Sequence, residues 1–237
     1  MPVAVTIRPA RPSDAGAIAD IYCATLGSDY TTGEAVADDI VRRTRCVYFV
    51  AESGGRVVGA ANAMWVERPE VLELGAVGFH DVQREVLELG RDAPRFGLLE
   101  NVGVLPDHRG RGVGFALLEA RIEWLRRQQV GAAYSFAWRT PAGCPAGPLL
   151  ERGGFRRVRE LPDFYLEDGL TNGYGCPYCG RECHCSAILY FRKWPDPPSS
   201  SSGPSRPSGR SRSTCTFPRR PRSPGISTPA PPPRSSR

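Results

Sequence analysis

The chain of 237 residues predicts a mixed α/β fold, with one domain over residues 5–194. Three observations predict it. RFGLLENVGVLPDHRGRGVGFALLEARIEWLRR (95–127) reads as a strand, a glycine-dense loop and an amphipathic helix. CVYFVAES (46–53) and RVVGAANAMW (56–65) flank a Gly54-Gly55 turn and read as a β-hairpin. Strand-like and helix-like runs continue to residue 194, a length that suits one domain with a substantial core.

Near the N-terminus, Ser13 or Asp14 can cap a helix carrying Ala17, Ile18 and Ile21 on one face. A second helical stretch covers 34–43, and the hairpin follows. Residues 66–95 are longer than a connection needs. VLELG occurs there twice, at 71–75 and 86–90, as a lid or acceptor-side wall or as a chance recurrence in a Leu/Glu-rich helical stretch. The apolar run ending at Val104 then breaks at Pro106. In the next helix, Val113, Ala116, Leu117, Ala120 and Trp124 recur at helical spacing, with Glu119, Glu123, Arg126 and Arg127 opposite. Glu123 and Arg127 form a favourably ordered i,i+4 pair. AAYSFAW (132–138), FRRVREL and SAILYFRKW read as later strands.

Strand, loop and helix in this order aim the unpaired amides of a helix N-terminus at whatever lies before its first turn. The helix dipole favours an anion there. Gly110, Gly112 and Gly114 leave no Cβ in the way, and Arg109 and Arg111 add positive charge. A P-loop is excluded, because no Gly-Lys-Ser/Thr closes the loop. A dinucleotide fingerprint is excluded too: Phe115 stands where a small residue is needed, and AAYSFAW falls where an acidic ribose partner belongs.

The remaining pattern, Arg-x-x-Gly-x-Gly at Arg109, Gly112 and Gly114 after a strand ending in Val-x-Pro, resembles the acetyl-CoA signature of the GNAT superfamily of N-acetyltransferases. The resemblance is strongest over 98–127 and extends across roughly 5–194. VTIRPARPSDAGAIADIY looks like the family's opening strand and first helix, and PAGPLLERGGF (145–155) like its last helix with a Gly-Phe ending. It implies a mostly antiparallel mixed sheet flanked by helices, and direct transfer of an acetyl group from acetyl-CoA to a primary amine of a small molecule or protein. The pantetheine arm would lie along Val102, Gly103 and Val104, and the amides of Arg109, Gly110, Arg111, Gly112, Val113 and Gly114 would hold the pyrophosphate. A backbone N–H near Val102 would stabilise charge on the thioester oxygen. Glu100, two residues before Val102, is the candidate base for deprotonating the amine. Strand alternation turns Asn101 to the opposite face. Many relatives carry a tyrosine acid in the final helix, in a pattern like Asn-x-x-Ala-x-x-Leu-Tyr-x-x-x-Gly-Phe. Here Gly143, Ala146, Leu149, Leu150, Gly154 and Phe155 fill it, so the asparagine slot is Gly143 and the tyrosine slot is Leu150. Tyr165 or bulk water is left to protonate the thiolate. The missing tyrosine also suits an alternative, a non-catalytic acyl-CoA-binding or zinc-stabilised interaction module.

GCPYCGRECHCS carries Cys176, Cys179, Cys183 and Cys185 in a C-x₂-C-x₃-C-x-C array, a knuckle over 174–186 inserted before the last strand. Thiolates at this density suit a tetrahedral structural zinc ion. His184 could replace Cys183 or Cys185, and an iron–sulfur cluster or plain reduced thiols are the other readings. Cys23, Cys46 and Cys144 read as core filler.

The net charge of +6 is uneven: residues 195–237 hold eight arginines against Asp196 alone, with twelve prolines and twelve serines. Such a segment predicts disorder, because it cannot bury enough apolar area to offset ordering. A solvated extension is the expected role, though its charge leaves nucleic acid open as a partner. No run approaches the ~20 apolar residues of a membrane span, and MPVAVTIRPARPSDA lacks a signal-peptide layout. With clustered cysteines, this predicts the reducing cytoplasm.

Overall fold

The computed structural model describes residues 5–74, 80–173 and 175–194. Its centre is a seven-stranded sheet in the order β1-β2-β3-β4-β5-β7-β6. The strands are β1 (Val5–Pro9), β2 (Cys46–Ser53), β3 (Arg56–Glu67), β4 (Arg95–Val104), β5 (Ala132–Arg139), β6 (Arg156–Leu161) and β7 (Ser186–Lys193). Neighbours pair antiparallel except β4 and β5. The helices are α1 (Ala15–Leu26), α2 (Gly33–Arg42), α3 (His80–Leu89), α4 (Val113–Arg127), α5 (Gly147–Arg152) and α6 (Leu166–Asn172). This is the predicted mixed, mostly antiparallel sheet with helices on its faces. The predicted disorder of 195–237 lies outside the described residues. Among the described residues no helix is long and apolar enough to cross a membrane.

Alternating residues of the central strands feed two cores. On one face, Ala60, Val50 and Tyr48 pack under α1 and α2, and Phe96, Leu98 and Tyr134 pack under α3. On the other, Ala61 and Phe49 meet Val113 and Leu117 of α4, and Leu99 and Ala133 meet Leu118, Ile122 and Leu125. The buried stripe of α4 is therefore rotated from the one its periodicity predicts: Ala116, Ala120 and Trp124 are half-buried, while Leu118, Ile122 and Leu125 are covered. The helix lies across several strands, so the sheet reaches further round it than a single stripe.

Local chemistry sets the element ends. Gly54 (φ 57°) and Gly55 (φ 76°) supply the two left-handed residues of the β2–β3 turn. The Thr32 hydroxyl caps α2 by accepting from the Ala35 amide at 3.2 Å. Asp14 precedes α1 as expected, but its carboxylate accepts from the Arg11 amide (2.7 Å) and pairs with Arg8 (2.7 Å) instead of capping the helix. The two VLELG copies differ in structure. The first falls in the 3-10 segment Arg68–Leu74, with its glycine outside the described residues, and the second runs through α3 into Gly90. Val71 and Val86 are nonetheless buried in one cluster with Phe96 and Leu98, so both described parts of 66–95 cover the core.

Gly103 fits α1 against β4. A Cβ there would stand 2.5 Å from Thr25 Oγ1 and 2.8 Å from Ile21 Cγ2. Gly103→Val is expected to destabilise the fold by about 1–3 kcal/mol through overpacking, read as a lower urea midpoint with an unchanged slope.

Candidate active site

The site is built where β4 stops following its neighbours. Ala61 opposes Val102 and Ala63 opposes Leu99, so Asn62 alone faces both Glu100 and Asn101. This two-against-one bulge bends the strand and resets its alternation. Leu99 and Val102 point to the α4 face, whereas the Asn101 side chain reaches Tyr30 beyond α1 and Glu100 joins the charge network of α2. The expectation that Asn101 turns away from Glu100 is thereby corrected: the extra residue puts both on the α1/α2 face.

Asn62, 1 % exposed, organises this polar nest. Its Oδ1 accepts from the Asn101 amide (3.0 Å) and the Tyr22 hydroxyl (3.2 Å), and its Nδ2 donates to Glu100 Oε2. Tyr30 donates to Asn101 Oδ1 at 2.6 Å. Burial pushes the Glu100 carboxyl from 4.5 up to about 7, against the opposing effects of Arg43 and the Asn62 amide. Arg43 is already engaged, with its Nε 2.7 Å from Asp39 Oδ1, while Tyr48 donates to Asp39 Oδ2 at 2.9 Å. Glu100 thus holds a carboxyl poised near neutrality.

On the other edge of β4, pairing with β5 ends at Leu99–Ser135, where the Ser135 hydroxyl donates to the Leu99 carbonyl at 2.9 Å. Both strands continue beyond that point, β4 to Val104 and β5 to Arg139, so a cleft opens between them. The Leu105 amide donates to Val58 O (2.9 Å) and that of Asn101 to Asn62, both toward β3. By antiparallel alternation the N–H groups of Val102 and Val104 point the other way, into the cleft. Gly103, expected at the ligand, instead presents its α-carbon to α1.

The loop after Val104 ends at the mouth of this cleft. Gly110 (φ 69°) and Gly112 (φ 83°) take left-handed conformations with open space where a Cβ would be. The first helical bond of α4 runs from the Ala116 amide to the Gly112 carbonyl at 3.0 Å. The amides from Gly110 to Phe115 have no acceptor among the described residues, which is the donor array an anion requires. Arg109 braces the loop by donating to Val104 O at 2.9 Å, and Arg111 is exposed beside it.

The buried Arg121, which interrupts the apolar stripe of α4, underlies the bulge. Its Nη1 donates at 3.4 Å to the carbonyls of both Asn62 and Asn101, and its Nε to Leu117 O at 3.3 Å. Burial lowers its pKa to about 10. Arg121, Asn62, Tyr22 and Tyr30 escaped the sequence reading. A lone amide in VVGAANAMW and a lone arginine on a buried helix face were the available signals.

Leu150 is buried among Leu118, Ile122 and Phe155, so no proton donor stands in that slot. Tyr165 packs against Phe164 (ring centroids 5.0 Å apart) and the cysteine cluster, with Tyr30 close enough for their charges to interact. Burial holds its hydroxyl well above the ordinary phenol pKa. The sulfurs of Cys176, Cys179, Cys183 and Cys185 all lie within 4.8 Å of one another. His184 turns outward to Asp163 (2.9 Å) and is not among them.

A mixed α/β sheet that splits beside a helix start lined with open amides is an arrangement with room and donors for an anionic ligand. The sequence pattern of the Acetyltransferase (GNAT) family matches residues 16–155, and the chain belongs to that family. Among solved structures, the fold is similar to NAA60 of Arabidopsis thaliana in complex with acetyl-CoA (21 % identity, TM-score 0.57, 80 % of this chain and 98 % of that one). It is also similar to the ribosomal-protein-S18-alanine N-acetyltransferase of Escherichia coli (18 %, 0.54, 80 % and 94 %). A third is the polyamine N-acetyltransferase of Drosophila melanogaster (15 %, 0.53, 81 % and 100 %). At these identities the likeness is one of fold. No curated protein matches the sequence.

Proposed function

We propose that this protein is an acetyl-CoA-dependent N-acetyltransferase that moves the acetyl group directly to a primary amine of a small molecule or a protein. The observation that carries this reading is the meeting, on β4, of cleft-facing amides at Val102 and Val104 with a carboxyl at Glu100 held near neutrality. Membership of an acetyltransferase family supports it, as do fold neighbours described as acting on a ribosomal-protein alanine and on polyamines.

In this reading the amides of Gly110 to Phe115 hold the pyrophosphate, and Val102 and Val104 hold the pantetheine arm. Acetyl-CoA supplies the activated acyl group. Glu100 takes a proton from the ammonium form of the acceptor, so that the free amine attacks; the new N–C bond forms as the C–S bond breaks, and the second proton that the nitrogen sheds passes to solvent. The Val102 N–H receives the charge developing on the acyl oxygen. Tyr165 is the proposed donor of the proton that the departing thiolate takes up, with solvent restoring it, since Leu150 fills the slot where many relatives carry a tyrosine. Tyr165→Phe is then expected to lower kcat about tenfold with acetyl-CoA affinity unchanged; an unaltered kcat assigns that proton to water. The proposed setting is the reducing cytoplasm, where thiols clustered as Cys176, Cys179, Cys183 and Cys185 are would stay reduced.

The test is release of free CoA when the protein meets acetyl-CoA and a panel of diamines, amino sugars and peptides with free N-termini. Transfer to any of them supports the reading. The burial of Leu150 in the tyrosine slot favours the second reading, a binding module, and tight acetyl-CoA binding without CoA release on any amine would establish it.

A further inference from the structure

We propose that Cys176, Cys179, Cys183 and Cys185 bind one structural zinc ion, and that this ion fixes the acceptor-side wall of the site through Ser28 and Tyr30. The second half rests on the reading of Glu100 and Asn101 as facing the acceptor. Four thiolates at the Zn–S distance of about 2.3 Å stand about 3.8 Å apart along the edges of a tetrahedron. The Cys176–Cys185 and Cys179–Cys185 sulfur separations are 3.9 and 3.6 Å, and all four sulfurs fall within 4.8 Å. That spacing is far too long for a disulfide and leaves room for one ion, not for a multi-iron cluster with its sulfides. The backbone has the matching shape. Cys176 and Gly180 exchange amide bonds of 2.9 Å across a tight turn, and the Tyr178 amide donates to Cys176 Sγ at 3.4 Å, as a charged sulfur requires. Among the described residues, Trp138 and Tyr165 pack against the sulfurs and Tyr178 against Trp138, a small apolar surface to which a metal would add the main cross-link.

The link to the acceptor side is short. Gly175, beside Cys176, exchanges two backbone bonds with Ser28, 3.0 Å from the Ser28 amide and 3.1 Å to its carbonyl. Two residues on, Tyr30 reaches Asn101 at 2.6 Å, next to Glu100. Zinc therefore clamps one end of a strap whose other end is the polar nest.

Elemental analysis of the full chain, purified without added metal, is expected to give one zinc per chain; iron, or no metal, overturns the proposal. Exchange with Co(II) is expected to give thiolate-to-metal charge-transfer and tetrahedral d–d bands that Cys179→Ser weakens. Should that variant fail to fold, chelation of the wild type with a strong thiol-compatible chelator reads the same loss. Chelation is expected to speed amide exchange at Ser28 and Gly175 and to raise the acceptor KM about tenfold, with acetyl-CoA affinity within twofold. Zinc present with neither change overturns the clamp alone. Amide exchange decides the clamp even if no amine is acetylated, which separates its failure from failure of the proposed activity.

Discussion

Replacing Glu100 with Gln is expected to lower kcat/KM at pH 7 by about 100-fold, the usual contribution of a positioned general base, while acetyl-CoA affinity stays as it was. The wild-type rate should rise with pH through an apparent pKa of about 7, where burial places this carboxyl; the variant should lack that limb. An unchanged rate and pH profile would remove Glu100 from the chemistry. A second readout needs no substrate. Folded Glu100 keeps its proton up to about pH 7, whereas the unfolded chain releases it near the ordinary glutamate value of 4.5. Stability therefore falls as pH rises between those values, by about 3 kcal/mol in all. Glutamine carries no such charge and still offers Asn62 an acceptor oxygen. The variant should match the wild type near pH 4 and unfold at a clearly higher temperature at pH 8.

Gly112→Asp is expected to weaken acetyl-CoA binding about 50-fold, roughly 2 kcal/mol, by setting a carboxylate before a helix N-terminus that is to hold a pyrophosphate. Aspartate tolerates the left-handed conformation that Gly112 adopts at φ 83°, and nothing stands within 4 Å of the added Cβ. The change thus tests charge, with little strain. Acetyl-pantetheine lacks the pyrophosphate and should serve wild type and variant equally. Calorimetric titration with both donors checks this, and equal losses for both would place the diphosphate elsewhere.

What could be foreseen depended on how local the cause was. Open amides before a helix arise from consecutive residues, so the run from Gly110 to Gly114 could be picked out before any fold was known, although the Arg109 amide, expected among them, donates instead to Pro106 O at 3.1 Å. Cysteine spacing likewise foretold that four sulfurs meet, because one tight turn within a ten-residue loop is enough to bring them together. The alternative ligand His184 was decided by a distant residue, Asp163, which draws it outward. Glu100 was legible by its place two residues before Val102, but its surroundings were not. Asn62 in β3, Tyr22 in α1, Tyr30 in the connection after it and Arg43 just past α2 are distant in sequence, and only packing brings them near. The 66–95 segment was hard to read for a similar reason: its repeated pentapeptide buries a valine from each copy in one core while taking different backbone forms.

By itself, the sequence determined the order of elements, the glycine turn before α4 and the cysteine array, since each follows from short-range sterics and hydrogen bonding. Tertiary structure alone decided that β4 bulges at Glu100 and Asn101, that the strand parts from β5 beyond Leu99, and that the buried carboxyl keeps its proton to about pH 7. Those features depend on register and desolvation, which no residue has until its distant neighbours arrive.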